Sequence, residues 1–247
     1  MSQVSPSLNN LSPEEKRKLL SSLLKEKAGA ATLTAPLSYG QQAWWFLYNL
    51  DPQSAMSNVA FAARVSSEVD APSLRSAFQT LVDRHATLRT TYTVREGQPE
   101  QIVHPRQDVS FEEFDAATDE PEALFRRLVA DSQRPFDLQH GPMLRVSLYT
   151  QSPASHLLLI TAHHIAIDLW SMVVLLRELR ELYPAAIRKT PAGLAPLPLQ
   201  YTDYVRWQSE SLADGAGERL WAYWREKLGG ELSPLELPSA RTRPQGH

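Results

Sequence analysis

The chain has 247 residues, of which 43% are hydrophobic, and 25 Lys and Arg against 28 Asp and Glu give a net charge of −3. A chain of this length buries a large core, and its near-balanced charge disfavours a nucleic-acid or other polyanion partner. It has no cysteine, which excludes a disulfide framework, a thiolate zinc site, an iron–sulfur cluster and a cysteine nucleophile. No apolar run approaches the roughly 18 residues that span a bilayer, so we expect a cytoplasmic protein without a membrane partner.

The first predicted element is a helix over residues 12–28, with Ser12 as N-cap and Gly29 after its end. Its narrow leucine stripe fits either a solvated helix or a segment that docks on an upstream partner module. Residues 30–36 are predicted to be a linker, and a second helix runs from Ser38 to the Asp51-Pro52 pair.

The middle and end of the chain alternate strand and helix patterns. The predicted strands cover residues 58–65, 88–94, 101–103, 144–149 and 156–162, and the predicted helices cover residues 70–85, 121–133, 169–182, 201–212 and 218–228. The run 156–162 is apolar almost throughout, which is typical of a strand buried on both faces. Prolines between residues 184 and 198 predict a connector. The expected fold class is α/β (α+β, two-layer), with a mixed sheet flanked by helices.

A candidate site lies between the buried strand and the next helix, at residues 163–171 with the sequence HHIAIDLWS. Adjacent residues of an extended chain point to opposite faces, so one of His163 and His164 faces a given cavity. Asp168 is placed either to hold an imidazole or arginine or to cap the helix that begins at Leu169.

Other kinds of site have less support in the sequence. The remaining histidines make no second ligand pair for zinc, so no metal is expected. The sequence lacks the G-x-S-x-G elbow of a hydrolase, a P-loop and a G-x-G-x-x-G loop, so no directly bound cofactor is expected.

Four segments resemble the motifs of the condensation domains of nonribosomal peptide synthetases, which are chloramphenicol acetyltransferase-like acyltransferases. Residues 163–171 resemble HHxxxDG, residues 38–47 (SYGQQAWWFL) resemble SxAQxRLWxL, residues 84–92 (RHATLRTTY) resemble RHExLRTxF, and residues 201–207 (YTDYVRW) resemble YxDFAxW. They occur in the order of the family, from about residue 36 to the end of the chain.

The resemblance implies a domain of two similar lobes with the active site in a tunnel between them. Residues 1–35 are then an N-terminal linker or docking helix, residues 36–200 the N-terminal lobe, and residues 201–247 connector helices that lead to a C-terminal lobe absent from this chain. The upstream partner of the helix at 12–28 would be a synthase module. We expect the isolated chain to be inactive, because one wall of the tunnel is missing.

The implied reaction is amide formation between a donor acyl thioester and an acceptor aminoacyl amine, both tethered by phosphopantetheine arms of carrier proteins. The sulfur of this chemistry therefore arrives with the substrates. His164 is the implied base or amine-positioning residue. His163 and Asp168 complete the catalytic motif, with His163 turned away into the lobe and Asp168 in a structural ion pair with Arg89, joined by Arg84.

Departures from the motifs concentrate at three positions. Ala43 and Ala86 replace the arginine and glutamate of the family, and Leu169 replaces the glycine after the aspartate. Leu169, Trp170 and Ser171 are candidate substrate-binding residues beside the reacting carbonyl. Two alternatives remain open. One is a free-standing acyltransferase that uses coenzyme A or a carrier thioester, which the sequence beyond residue 247 would distinguish, and the other is a non-catalytic carrier-docking module, which the missing lobe and the bulk of Leu169 favour.

Overall fold

The computed structural model describes residues 32–213 and 215–231. Its strands are β1 (Leu33–Pro36), β2 (Asn58–Val65), β3 (Thr90–Arg95), β4 (Gln98–Val103), β5 (Ser110–Asp115), β6 (Leu144–Ser152) and β7 (Ser155–His163). Its helices are α1 (Tyr39–Leu50), α2 (Ala71–Arg84), α3 (Pro121–Ser132), α4 (Leu169–Arg188), α5 (Tyr201–Ala213) and α6 (Ala216–Leu228), and a 3₁₀ turn spans Ala86–Arg89. The chain divides into two compact units, Met1–Val205 and Arg206–His247, and the site lies in the first.

Two sheets build the first unit. A three-stranded antiparallel sheet has the order β1-β4-β3, and a four-stranded sheet has the order β2-β7-β6-β5, with β5 parallel to β6 and the other pairs antiparallel. The mixed sheet flanked by helices confirms the predicted fold class.

The four-stranded sheet is buried on both faces, because successive residues of a strand point to opposite sides. Leu158 and Ile160 of β7 pack in the main core with apolar residues of α2 and α4. Leu159 between them packs in a second cluster, where Leu124 of α3 covers the opposite face. The prediction of a doubly buried strand is confirmed.

Helix starts follow the capping signals in the sequence. The Ser38 hydroxyl accepts from the Gln41 backbone N–H at 3.1 Å, and the Gln41 side chain accepts from the Ser38 backbone N–H at 3.0 Å, which completes a capping box before α1. The Asp70 carboxylate caps α2 by accepting from the Ser73 backbone N–H. These caps confirm both predicted starts.

The structure corrects four local predictions. Part of the expected linker is β1, which pairs with β4, and β5 was not predicted at all. Pro184 lies inside α4, which continues to Arg188 because Leu182 and Ala185 remain packed in the interior. The expected strand at residue 88 begins two residues later, after the 3₁₀ turn.

The predicted helix at 12–28 lies outside the described residues. Among the helices that the structure describes, none is long and apolar enough to cross a membrane.

Candidate active site

The candidate site begins where β7 ends. The His163 backbone N–H donates to the Met143 carbonyl and the His164 backbone N–H donates to the Ser57 carbonyl at 2.8 Å, so both histidines are fixed to neighbouring backbone. The chain then turns, with the Ala166 backbone N–H donating to the His163 carbonyl, and α4 starts at Leu169. His164 therefore sits between two rigid elements.

His163 points into the protein and is 3% exposed. Its Nδ1 accepts a hydrogen bond from the Ile165 backbone N–H at 3.1 Å, and its ring makes edge contacts with Tyr48 and Phe136. Burial, reinforced by the nearby His164, lowers the pKa of His163 to about 4. At neutral pH the His163 ring is therefore uncharged, and it is enclosed by the core rather than by the cavity.

His164 points the other way, into a cavity of about 430 Å³. Its ring stacks on the indole of Trp44, with 4.4 Å between ring centroids and 19° between ring planes. In the part of the chain that the structure describes, neither ring nitrogen of His164 is engaged by another residue. The stack fixes the plane of the imidazole and leaves its nitrogens open to a substrate.

Asp168 caps α4 rather than pairing with an arginine. Its Oδ1 accepts from the Ser171 backbone N–H and from the Ser171 hydroxyl, each at 2.7 Å, and these bonds lower the pKa of the Asp168 carboxyl. The predicted ion pair is wrong on this geometry. The Arg84 guanidinium instead pairs with Glu178 at 3.0 Å, and Arg89 donates to the His104 carbonyl. Of the two alternatives that the sequence left open for Asp168, helix capping is the one observed.

The three residues after Asp168 do not share one environment. Ser171 lines the cavity, whereas the side chains of Leu169 and Trp170 are 77% and 73% exposed and lie outside its lining. Substrate contact by Leu169 and Trp170 stays a prediction, and it needs a partner surface over the start of α4.

A buried polar network supports the turn from below. The Tyr92 hydroxyl donates to the Ile165 carbonyl and accepts from the Gln41 amide at 3.3 Å, and Gln41 also bonds to Gln101. Burial raises the pKa of Tyr92, so its hydroxyl remains a donor. The backbone beside His164 is thereby tied to α1 and to the three-stranded sheet.

The segment between α4 and α5 forms another wall of the cavity. The Gln200 amide donates to the Arg84 carbonyl at 3.0 Å and accepts from the Ala86 backbone N–H at 3.1 Å. The next residue, Tyr201, makes a hydroxyl contact of 2.9 Å with Ser38. These bonds hold the segment at the rim of the cavity.

Among the described residues, no group of three or more His, Asp or Glu side chains is placed to hold a metal ion.

Comparison with known proteins identifies the family of this chain. The family model of the condensation domain matches residues 32–247, which is most of the chain. The chain belongs to the condensation-domain family. The two histidines at the end of β7 lie within the matched region, one buried and one lining the cavity.

Curated relatives of this condensation-domain chain are large synthetases. It is 40% identical to one of the linear gramicidin synthase proteins of Brevibacillus parabrevis and 37% identical to chondramide synthase cmdD of Chondromyces crocatus, each over 85% of this chain. It spans only 3% and 5% of the length of these two proteins.

Solved structures give the same fold. The X-domain in its complex with OxyB from teicoplanin biosynthesis is 30% identical, with a TM-score of 0.73 over 85% of this chain and 46% of that chain. The starter condensation domain of rhizomide synthetase RzmA is 20% identical, with a TM-score of 0.74 over 82% of this chain and 49% of that chain, and this likeness concerns the fold alone. The chain therefore spans about half of such a domain.

Sequence reasoning missed part of this condensation-domain site. Of the two tryptophans of α1, Trp45 is buried in the core, whereas Trp44 is half-buried and stacks on His164, a contact that was not predicted from the sequence. The two side chains differ in burial because consecutive residues of a helix point about 100° apart around its axis. The polar anchors Gln200 and Glu178 had no sequence signal, since their partners are about a hundred residues away.

Proposed function

We propose that this chain supplies the His164 half of an amide-forming active site. The observation that carries the proposal is the open imidazole of His164, stacked on Trp44 and facing a cavity of about 430 Å³, in a chain that matches the condensation-domain family. The cavity has room for a small acyl or aminoacyl group beside the ring.

In the proposed reaction the amine of an acceptor aminoacyl group attacks the carbonyl carbon of a donor thioester. The C–N bond forms, the C–S bond breaks, and the amine loses a proton while the sulfur leaves as a thiol. His164 either accepts the amine proton or holds the amine in line with the carbonyl. Positioned proton transfer contributes about 10²- to 10⁴-fold, and positioning alone supplies comparable factors, so magnitude does not separate the two roles.

The proposed substrates are phosphopantetheine thioesters on a donor and an acceptor carrier protein, and the thiol sulfur comes from these arms. The proposed partner within the domain is its C-terminal lobe, which would cover the start of α4. The exposed apolar side chains of Leu169 and Trp170 support this arrangement, because tryptophan is enriched in protein interfaces and neighbouring apolar side chains favour a covered surface.

A second candidate function is a docking module without turnover. The observation that favours it is the 30% identity to the X-domain, which was solved in complex with OxyB. The bulky Leu169 at the position of the motif glycine agrees with it.

The test is His164→Ala in the complete domain that carries this chain, supplied with aminoacyl thioesters on donor and acceptor carrier proteins. We expect amide formation to fall by about 10²- to 10⁴-fold with an unchanged circular dichroism spectrum. His140→Ala is the matched control, because His140 is exposed and bonded to Asp137 outside the cavity lining. Near-normal amide formation by His164→Ala would contradict the role proposed for His164. Carrier binding without turnover by the wild-type domain would favour the docking module.

A further inference from the structure

A second histidine lines the same cavity as His164. His85 follows the last residue of α2, and its Nε2 lies 2.6 Å from Glu178 Oε2 on α4. Both side chains are mostly buried, at 17% and 12% exposure. An ionised carboxylate only accepts hydrogen bonds, so the hydrogen of the neutral His85 ring is on Nε2 and Nδ1 is the free acceptor. None of the residues that the structure describes engages Nδ1 of His85.

His85 and Glu178 connect the reaction cavity with an outer groove. His85 lines both the cavity that holds His164 and a smaller adjoining cavity of about 110 Å³. Glu178 lines a groove of about 310 Å³ on the outer side of α4, together with exposed Arg177 and Glu181. One hydrogen bond therefore joins a residue of the cavity to a residue of the groove.

We propose that the His85–Glu178 pair carries the proton released by amide formation from the reaction cavity to the outer groove. The inference rests on the proposed function, because an acceptor that arrives as an ammonium yields an amide, a thiol and one proton. His85 Nδ1 takes this proton from the ammonium nitrogen, and the Nε2 proton passes to Glu178 Oε2. Glu178 then gives it to water in the groove, and the ammonium is left as the neutral amine that attacks the thioester. The His85 ring is left with its hydrogen on Nδ1, and it returns to the Nε2–H form by losing that hydrogen to water and taking one at Nε2 before the next turnover.

The polar and charged groups around the pair are compatible with this relay. Arg84 donates to Glu178 Oε1 at 3.0 Å, so one carboxylate oxygen is held by a guanidinium while the other, Oε2, contacts His85. On the cavity side, His164, Asp168 and Tyr201 are the titratable groups that share the lining with His85. From the segment after α4, neutral Gln200 bonds to the backbone on either side of His85. His85 therefore lines the cavity wall and is hydrogen-bonded to Glu178, which lines the groove on the other side.

The test compares Glu178→Gln, His85→Gln and a matched control in the complete domain. Glu178→Gln keeps the length and the hydrogen-bonding oxygen of the side chain but cannot take a proton. Glu181→Gln removes the same charge from the same helix and groove without touching His85. The readout is the kcat of amide formation from pH 6 to pH 9, with folding followed by circular dichroism.

We expect Glu178→Gln and His85→Gln to lower kcat at pH 7 by about 10- to 100-fold, a deficit that shrinks to within a few fold at pH 9, where the amine loses its proton unaided. Glu181→Gln should follow the wild-type profile. A deficit of equal size at every pH would indicate a structural role and overturn the relay, and so would a Glu178→Gln profile that matches the wild type. If His85→Gln does not fold, Glu178→Gln decides alone. A wild-type domain that forms no amide at any pH would refute the proposed function itself and the relay with it.

Discussion

Acidification should destabilise this protein through His163. Its pKa falls from 6.5 for an exposed histidine to about 4 in the folded chain, because protonation would place a charged imidazolium in the core without its hydration. The folded pKa is depressed, so the unfolded state binds more protons between pH 6.5 and pH 4. The stabilisation is complete above pH 6.5 and is lost as the pH falls through this window. At about 1.4 kcal/mol per pKa unit, the full loss is about 3 kcal/mol.

The assay is urea unfolding of the chain, followed by tryptophan fluorescence, at pH 7.5 and pH 5.0. His163→Gln removes the titration while a side-chain oxygen is kept near the Ile165 backbone N–H that bonds to His163. The wild-type free energy of unfolding should fall by about 2 kcal/mol more than that of the variant between the two pH values. Carboxyl groups common to both proteins contribute equally and cancel in the comparison.

Equal losses in the wild type and His163→Gln would refute this reasoning. A second readout is the proton NMR titration of the His163 ring in the folded chain, which should show a midpoint near pH 4. A midpoint near 6.5 would mean that the ring is solvated and that its burial has no electrostatic cost.

Two further substitutions test the supports of the site. Asp168→Ala removes the cap bonds to Ser171 and should lower the free energy of unfolding by about 1 kcal/mol, which corresponds to a melting temperature lower by about 2–4 °C. Asp168→Asn keeps the cap and should keep most of the stability. An Asp168→Ala melting curve that matches the wild type would contradict the capping role. Gln41→Leu leaves buried partners of the Tyr92 network unsatisfied and should lower the free energy of urea unfolding by about 1–3 kcal/mol. Its exposed neighbour offers the control Gln42→Leu, and similar values for both variants would show that the network contributes little.

The central part of the site was predictable because its signals are local. An apolar run ending in two histidines fixes one ring inside and the other outside, and Asp168 four residues later stands where a helix cap belongs. The order of the four motif segments also predicted the family that the comparison identified.

The missed features depend on partners far away in the sequence. The strand β5 has three acidic residues in six, and what makes it a strand is parallel pairing with β6 across a long connection. The strand β1 carries a proline at its end and is held at the edge of a sheet by β4. The ion pair expected between Asp168 and Arg89, joined by Arg84, is not formed. Arg89 donates to the His104 carbonyl, and Arg84 pairs with Glu178, a helix residue outside the motifs.

The Gln200 anchor also bears on the order in which the molecule assembles. Its contact with Ala86 joins residues 114 positions apart, and the cavity wall exists only once that contact has formed. Closing so long a loop is entropically costly and follows the local elements. During synthesis, α2 and the 3₁₀ turn emerge well before residue 200. The wall of the cavity that contains Gln200 can therefore form only after the segment that follows α4 has been synthesised. We therefore expect the cavity around His164 to be completed late in folding, after β7 has placed the histidine.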